Sequence, residues 1–527
     1  MNEKDYHNGG GGGGSLDTTR PGAAQPIVRD GAVDGDSTKH LDASLDVADR
    51  QKSPSLSPSH GKTPSLDDGL SNEAPPPAAV PEDVPPNGGY GWVCTACVAF
   101  INAHTWGLNS SYGVFLAHYL SEDVYPGATY LQYAFVGSLS ISCALLLSPI
   151  ATITTRIYGT RTTLLIGTAL ETISMIAASF STEIWHLFLS QGLCFGIGMG
   201  FLFVASVPIV PQWFTTRRSL ANGIATAGSG FGGLTYSLAT GAMIRTIGLP
   251  WAFRVLGILA FTVNTVCALL LKDRNKQIGS SQLAFEVSLF KRVEYLLLLG
   301  FGWFSILGYV VLLFSLANYC RTVGLSASQA ATVSAILNLG QGLGRPPIGY
   351  FSDAVGRINM AFLMTLLSGL LALVVWVFAK TFAVLIFYAL VGGAVAGTIW
   401  TVIAPVSAEV VGLKHVPSAL NIIWIVLSVP STFSEPIGLE IVGFNGGAYL
   451  GAQVFTGVMY IAAAGCVLLL RGWKIGEMRA VAEAKGVDLG AVGPLGTDKV
   501  EDEEVLMEAK RKALRRIPMD CWKWKKV

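Results

Sequence analysis

Between residues 87 and 470 the sequence is a series of long apolar stretches separated by short polar connections. A helix needs about 20 mostly apolar residues to cross about 30 Å of hydrocarbon. Twelve stretches reach that length, and each predicts a membrane-spanning helix. The predicted spans are 92–116, 129–151, 162–180, 184–210, 219–242, 250–271, 295–318, 327–350, 360–379, 382–406, 418–438 and 448–470.

The longest connection between predicted spans separates the first six from the last six. The first tail contains a six-glycine run and many Ser, Pro and Asp residues, a composition that cannot bury enough apolar surface to fold. We expect disordered cytoplasmic tails on either side of the helical block. The predicted organisation is a tail at 1–86, a six-helix half at 87–271, a linker at 272–294, a second half at 295–470 and a tail at 471–527.

Charge is scarce in this chain and unevenly distributed. Only 13% of all residues are charged, against about 25% in soluble domains. If both tails are cytoplasmic, eleven Lys/Arg fall in inner connections and three in outer ones. This is the positive-inside bias of membrane proteins. We therefore expect a multi-pass protein with both termini in the cytoplasm, in the plasma membrane or, as the alternative, the vacuolar membrane.

The connection after the eighth predicted span carries a G-x3-D-x2-G-R motif. Shifted back by 197 residues, the connection after the second span keeps the glycine but has Arg in place of Asp. Two halves related in this way place a substrate site between them, near the midplane of the membrane. The expected gating residues are Gly349, Asp353, Gly356 and Arg357 in the second copy and Arg156, Gly159 and Arg161 in the first.

A polar stripe runs along the eighth predicted span and includes Asn338, Gln341 and Arg345 at helical spacing. A guanidinium inside a span is costly unless it faces a cavity or a partner. Because Arg offers a planar fork to a carboxylate, the stripe predicts one wall of an anion-binding cavity. The alternatives are an interhelical packing face and an arginine that snorkels to the nearby surface.

Further polar positions in the spans extend this prediction. We expect Asn102 and Asn109 of the first span, with Asn421 and Trp424 of the eleventh, to line the same path. Three titratable residues are candidates for proton coupling. His104 is more often a packing residue in such a position, whereas Glu435 is either a proton acceptor or an outer-surface carboxylate. Glu171 is expensive to bury and predicts a partner on another helix.

Three segments resemble the monocarboxylate transporter family, particularly its fungal branch. Residues 196–230 are similar to the family's long segment in helices four and five, and 337–353 to its helix-eight region. The resemblance extends from residue 87 to about 473 and implies an all-α membrane protein with the twelve-helix major facilitator fold. The third segment resembles the signature in which an acid precedes G-G-[YW]-G-W, and it consists of Asn87, Gly88, Gly89, Tyr90, Gly91 and Trp92.

The resemblance also implies a coupling set, namely a Lys on helix one with an Asp and an Arg one turn apart on helix eight. Arg345 matches the family's Arg, while Gln341 and Ser110 stand at the Asp and Lys positions. No titratable group replaces either partner. We therefore expect a small anionic organic solute to bind at these residues, and coupling to protons stays open.

Other classes of function are excluded or unsupported. A net charge of +1, without a basic cluster in the helical block, argues against nucleic acid as a partner. Residues 228–233 satisfy GxGxxG but lie within a predicted span, and Gly61-Lys62-Thr63 lacks the first glycine of a P-loop. The spans contain no HExxH, nucleophile elbow or metal cluster. We predict no enzyme activity, no cofactor and no metal.

The sequence therefore predicts a secondary active or facilitative transporter of an anionic organic solute that works by alternating access. Two alternatives within transport remain, an exporter of a secondary metabolite and a carrier of a larger ring compound such as a flavin. A third alternative is a nutrient sensor that does not transport but keeps the same fold. Fold alone does not separate these functions.

Overall fold

The computed structural model describes residues 85–279, 283, 285–487, 508–509, 511–514, 520, 525 and 527. All regular secondary structure in this part of the chain is helical. Most of the two predicted tails, including the expected disorder of the first, lies outside the described residues.

Twelve long helices occupy the described part of the chain, which agrees with the predicted number. They are α1 (90–121), α2 (130–158), α3 (Thr160–Ala178), α4 (Ile184–Trp213), α5 (Arg218–Ile247), α6 (Leu249–Leu270), α7 (Val293–Thr322), α8 (Ala327–Val355), α9 (Arg357–Trp376), α10 (Phe382–Val411), α11 (Leu413–Phe444) and α12 (Leu450–Lys485).

Several of these helices are interrupted within the bundle. A π-helical turn at Ala103–Gly107 divides α1. α2 bends by 44° at Leu147, and α10 is broken at Gly397. Such interruptions free backbone groups and are common at functional sites in membrane helices.

Seven of the described helices are long and apolar enough to cross a membrane by themselves, or eight if the bent α2 is one span. The other four are α1, α3, α5 and α8. α1 is interrupted, α3 is rich in threonine, and α5 and α8 carry many Gly, Ser, Thr and Asn residues. Because α5 and α8 pack against each other, their polar faces are buried by protein rather than by lipid.

The structural repeat is visible at the beginning of α2 and α8. Each starts with a capping box, formed by Thr129 and Gln132 in the first half and by Ser326 and Gln329 in the second. In both boxes the hydroxyl accepts the backbone N–H of the Gln, and the Gln side chain accepts the backbone N–H of the cap. The two boxes are 197 residues apart, which is the shift of the predicted repeat.

The helices extend beyond the predicted spans. α12 ends at Lys485, whereas the apolar stretch ends near residue 470. Its last four turns bury Arg471, Lys474 and Glu477, and Lys474 pairs with Glu477 at 2.8 Å. Paired charges let a helix continue past the apolar stretch, so hydropathy underestimates its length.

Glycines line the seam between the two halves, where α5 of the first half meets α8 of the second. A Cβ atom on Gly223, Gly230 or Gly349 would overlap backbone atoms of the facing helix. The two helices therefore touch backbone to backbone, which only glycine permits.

Candidate functional site

Arg345 lies on α8 in the centre of this seam, and only 3% of its surface is exposed. Its Nη1 donates to the Thr226 carbonyl oxygen at 2.5 Å and to the Ser229 hydroxyl, both on α5. Its Nη2 donates to Gln341 Oε1 at 2.8 Å, one turn away on α8. The Nε–H has no hydrogen-bond partner among the described residues. The guanidinium therefore joins the two halves rather than snorkelling to the surface.

The polar stripe of α8 is a connected chain of hydrogen bonds. Gln341 Oε1 also accepts the Tyr309 hydroxyl of α7 at 2.7 Å, and its Nε2 donates to Asn338 Oδ1 at 3.4 Å. Gly397, at the break in α10, lies against the guanidinium, since a Cβ there would be 2.9 Å from Arg345 Nη2. Helices α5, α7, α8 and α10 thus surround the arginine.

An aromatic cluster lies beside this polar chain. It contains Trp106, Phe203, Tyr309, Trp400 and Trp424, which come from α1, α4, α7, α10 and α11. The ring centroid of Trp400 is 5.4 Å from Trp106, 5.9 Å from Trp424 and 6.3 Å from Tyr309. Trp106, Tyr309 and Trp400 keep part of their surface exposed. The aromatic cluster therefore supplies an apolar surface, shared by both halves, next to Arg345.

The other predicted substrate residues on α1 occupy different positions around this centre. Asn102 donates to the Ala225 carbonyl of α5 at 2.9 Å, and Asn109 accepts a hydrogen bond from Ser140 of α2 at 2.9 Å. Ser110 donates to a carbonyl of its own helix. It faces Asn338 across Gly233, where a Cβ would be 3.2 Å from both side chains. Of these three, Ser110 is closest to the polar chain of α8.

The predicted residues of α11 lie towards the end of the bundle that carries Asp353. Asn421 accepts hydrogen bonds from Ser148 and Thr152 of α2, so it joins the two halves on the side opposite the α5–α8 seam. Trp424 belongs to the aromatic cluster and also lines a small separate cleft with Asn421 and Gln212. The structure thus brings Trp424, but not Asn421, to the neighbourhood of Arg345.

None of the three titratable candidates contacts Arg345. Glu171 is fully buried between α3 and α6, where Asn264 Nδ2 donates to it at 2.8 Å. Glu435 accepts the Ser315 hydroxyl of α7 at 3.0 Å. His104 Nδ1 lies 2.8 Å from the Phe100 carbonyl of its own helix. Each carboxylate or imidazole has a local partner of its own.

The second gating motif forms a charged cluster between the halves, which we name the Asp353 cluster: Asp353, Arg357 and Glu409. The carboxylate of Asp353 accepts the N–H groups of Ser219 and Leu220, at 3.0 and 2.9 Å, at the beginning of α5. Arg357 donates to Glu409 at 2.8 Å and to Asp353 at 3.2 Å. A carboxylate at a helix N-terminus is favoured by the helix dipole.

The family signature packs on the connection between α4 and α5. Asn87 has a φ of 57°, and its Oδ1 accepts the N–H groups of Thr215 and Thr216 at 2.6 and 3.0 Å. The carbonyl of Thr215 in turn accepts Arg357 at 2.7 Å. The aromatic residues Tyr90 and Trp92 contact Trp213 and Phe214, and a Cβ on Gly91 would meet Trp213. The signature thus supports the loop that holds Arg357.

The first copy of the gating motif makes fewer contacts. Arg156 and Arg161 are exposed, and Arg161 donates to the Leu269 carbonyl within the same half. Gly159 adopts a φ of 84° in the turn between α2 and α3.

Sequence reasoning missed Thr226, Ser229, Tyr309 and Glu409. Glu409 lies just beyond the predicted span 382–406 but inside the observed α10, so only a longer predicted span would have singled it out as a charge within an apolar helix. The other three are ordinary polar residues whose role depends on helices that meet only in the folded chain.

Comparisons with known proteins agree with this architecture. A profile of the Major Facilitator Superfamily matches residues 95–321 and 298–486. The E. coli fucose:proton symporter FucP, as a crystal structure, covers 72% of this chain and 98% of its own with a TM-score of 0.57 and 12% identity. At that identity the likeness shows the fold.

Three relatives place the chain more closely. The probable transporter MCH2 of Saccharomyces cerevisiae is 33% identical over 411 residues, which are 76% of this chain and 87% of the relative. The Fujikurins efflux protein of Gibberella fujikuroi is 26% identical over 76% of this chain and 86% of its own. Monocarboxylate transporter 10 of Danio rerio is 27% identical over 67% of this chain and 72% of its own.

These relatives are transporters rather than enzymes, and the predicted resemblance to monocarboxylate transporters is confirmed. The fold, the internal repeat and the matched residues lead to one family assignment. The chain belongs to the Major Facilitator Superfamily and is an integral membrane transporter of small solutes.

Proposed function

We propose that this protein carries a carboxylate-bearing or otherwise anionic organic solute by alternating access, with Arg345 as the anion anchor. The observation that carries the proposal is a guanidinium buried between the halves, with its Nε–H unpartnered among the described residues. A buried Arg inside a span is costly unless it serves a ligand or a partner. Its planar fork suits a carboxylate.

The surroundings of Arg345 favour a solute with an apolar body. Tyr309 links the two parts of the site, since it donates to Gln341 and lies 6.3 Å from Trp400. Ligand sites typically combine an apolar lining with a few polar groups that orient the ligand. The proposed solute places its anionic group at Arg345 and its apolar part against the aromatic cluster.

The Asp353 cluster is the proposed gate. It holds α5 and α8 together at one end of the bundle, so solute can pass that end only after its hydrogen bonds break. The surplus of Lys/Arg in the connections at this end supports a cytoplasmic location for it and for both termini. We propose the plasma membrane as the site of transport, with the vacuolar membrane as the alternative.

The anchor is tested with the purified full-length protein and a panel of carboxylates, namely lactate, pyruvate, benzoate, phenylpyruvate and indole-3-acetate. At least one should raise the melting temperature of the wild type. Arg345→Ala should weaken its binding by about 2 kcal/mol or more, roughly 30-fold, because a buried charge pair is lost. Arg345→Lys keeps the charge without the fork and should bind with intermediate affinity.

Arg321→Ala is the matched control, since Arg321 is exposed at the end of α7. It should bind the panel as the wild type does. Size-exclusion chromatography should first show that Arg345→Ala and Arg321→Ala are folded. If Arg345→Ala then bound the panel as tightly as the wild type does, the role of Arg345 as the anion anchor would be refuted.

A second candidate is export of a secondary metabolite. It is supported by the similarity to the Fujikurins efflux protein, whose printed name describes efflux. Metabolite profiling of a deletion strain separates the directions. An anion that accumulates inside the cells indicates export, and one that accumulates in the medium indicates import.

A further inference from the structure

We propose that this carrier is an obligatory exchanger, which moves one organic anion across the membrane only when another returns. The inference rests on the proposed function, because it takes Arg345 as the site where the anion binds. It concerns a different property, namely what the carrier does when no anion is bound.

Every described partner of the Arg345 guanidinium is neutral. The acceptors are a backbone carbonyl at Thr226, the hydroxyl of Ser229 and the amide oxygen of Gln341. The phenol of Tyr309, also neutral, interacts with the guanidinium as well. No Asp or Glu among the described residues forms an ion pair with it. The described part of the chain thus leaves this charge without a counter-ion.

Arg357, another buried arginine at the contact between the halves, has carboxylate partners. Arg357 is also buried, with 6% of its surface exposed, and it contacts the carboxylates of Asp353 and Glu409. Buried charges are ordinarily paired in this way, since neutral dipoles compensate only part of the lost hydration. The missing carboxylate at Arg345 therefore marks the place of an anion that comes from outside the chain.

The lack of a counter-ion at Arg345 affects transport because two of the neutral partners lie in the opposite half. Thr226 and Ser229 are on α5, in the first half, whereas Arg345 is on α8, in the second. Alternating access moves one half against the other, so these two bonds must break as the site changes sides. Without an anion, the guanidinium then passes through the closed bundle with only the neutral side chains of Gln341 and Tyr309 from its own half beside it.

A bound carboxylate changes that step. It carries a negative charge that moves with Arg345 and offers two oxygen acceptors to the fork. Arg cannot lose its proton in a protein, so the charge cannot be removed in any other way. The loaded carrier therefore reorients much faster than the empty one, and net transport stalls after a single passage.

No Asp, Glu or His within the described spans contacts the arginine as a substitute, and the phenol of Tyr309, which does interact with it, carries no charge to offset the guanidinium. Glu171 is bonded to Asn264 between α3 and α6, and Glu435 to Ser315 near the end of α7. His104 is directed to a carbonyl of its own helix.

The first test uses the full-length protein in liposomes and the panel carboxylate that stabilises it most. Vesicles loaded with the radiolabelled anion are diluted either into buffer with the unlabelled anion or into buffer without it. Exchange should exceed net efflux by at least about tenfold, which corresponds to a barrier difference of about 1.4 kcal/mol. Equal rates in the two buffers would overturn the proposal.

The second test follows the conformation of the carrier instead of transport. Fluorophores attached through p-acetylphenylalanine replace Asp123 and Ser328, which are exposed at the end opposite Asp353. Asp123 lies on the turn between α1 and α2 in the first half, and Ser328 lies in the first turn of α8 in the second half. Single-molecule energy transfer should show the anion-free wild type in one conformation, and alternation between two only after the anion is added. Free alternation without an anion would contradict the charge argument.

A matched pair of variants separates charge from shape. Gln341→Glu supplies a carboxylate at a position 2.8 Å from Arg345 Nη2, and Gln341→Met is similar in length but neutral. Gln341→Glu should let the empty carrier alternate and bring net efflux close to the exchange rate. Gln341→Met removes an acceptor and lowers both rates, but it should leave net efflux at least as far below exchange as in the wild type. Identical behaviour of the two variants would rule out a role for charge.

The two proposals fail in different ways. If Arg345 does not bind anions, the panel produces no stabilisation that depends on Arg345. If the carrier is not an exchanger, anion binding depends on Arg345 as expected, but net efflux is as fast as exchange.

Discussion

The α2–α3 turn and the α8–α9 turn are copies of one structural element, and they differ in what they hold. Both pass through a glycine with positive φ, 84° at Gly159 and 115° at Gly356. In the second copy, Asp353 and Arg357 bind the beginning of α5 and the loop before it. In the first copy, an exposed Arg156 takes the place of Asp353.

The difference shows how charge breaks a structural repeat. The N–H groups at the beginning of a helix attract a carboxylate and repel a guanidinium. Only the copy with Asp can therefore cap the helix of the other half. The first half contacts the second by neutral bonds instead, such as the one from Thr152 to Asn421 at 3.2 Å. Among the described residues, the bundle thus has a charged contact between its halves at only one of the two equivalent turns.

The largest expected effect comes from Arg357→Ala. The substitution leaves Glu409 buried without its cation, which costs about 3–5 kcal/mol. The melting temperature in detergent should fall well below that of the wild type. Arg161→Ala in the first copy is the control and should change stability by no more than about 0.5 kcal/mol, since Arg161 is exposed. Similar losses in both variants would refute the asymmetry.

A smaller effect is expected from the two turn glycines. Gly159→Ala should cost roughly 1–3 kcal/mol through backbone strain alone, because nothing lies near its missing Cβ. Gly356→Ala should cost more, since its Cβ would also lie 2.6 Å from the backbone nitrogen of Val527 and 3.0 Å from Asn359 Nδ2. Thermal unfolding of the two variants side by side measures the difference. A larger loss in Gly159→Ala would contradict this ranking.

The smallest effect is expected at Asn87, which acts on the second turn through the loop at Thr215. Asn87→Ala removes the acceptor for two backbone N–H groups and should cost about 0.5–2 kcal/mol, as the loss of a helix cap does. Asn87→Asp restores the family's acid and should retain or raise the melting temperature. If Asn87→Ala left the melting temperature unchanged, Arg357 would hold the loop without a contribution from Asn87.

Much of the fold could be predicted from the sequence. Twelve apolar stretches predict twelve helices, because a segment inside the lipid must form all its backbone hydrogen bonds within itself. The repeat of the loop motif predicted two halves, and the capping boxes at Thr129 and Ser326 agree with it. Helix ends were predicted less well, because paired charges such as Lys474 and Glu477 let α12 continue beyond the apolar stretch.

The candidate site was predicted in part. Helical spacing brought Asn338, Gln341 and Arg345 to one face of α8, and the structure joins all three by hydrogen bonds. Periodicity within one helix says nothing about which helix lies opposite. The partners on α5 and α7 therefore required the structure, as did Asn264, the partner of Glu171.

The glycine seam between α5 and α8 has a mechanical consequence. Because side chains do not interlock at these glycines, α5 can slide or roll against α8 with little resistance. A side chain placed on the seam would act as a wedge. A large residue at Gly230, where even a Cβ overlaps the facing backbone, would hold the halves apart and trap one conformation of the carrier for structural work.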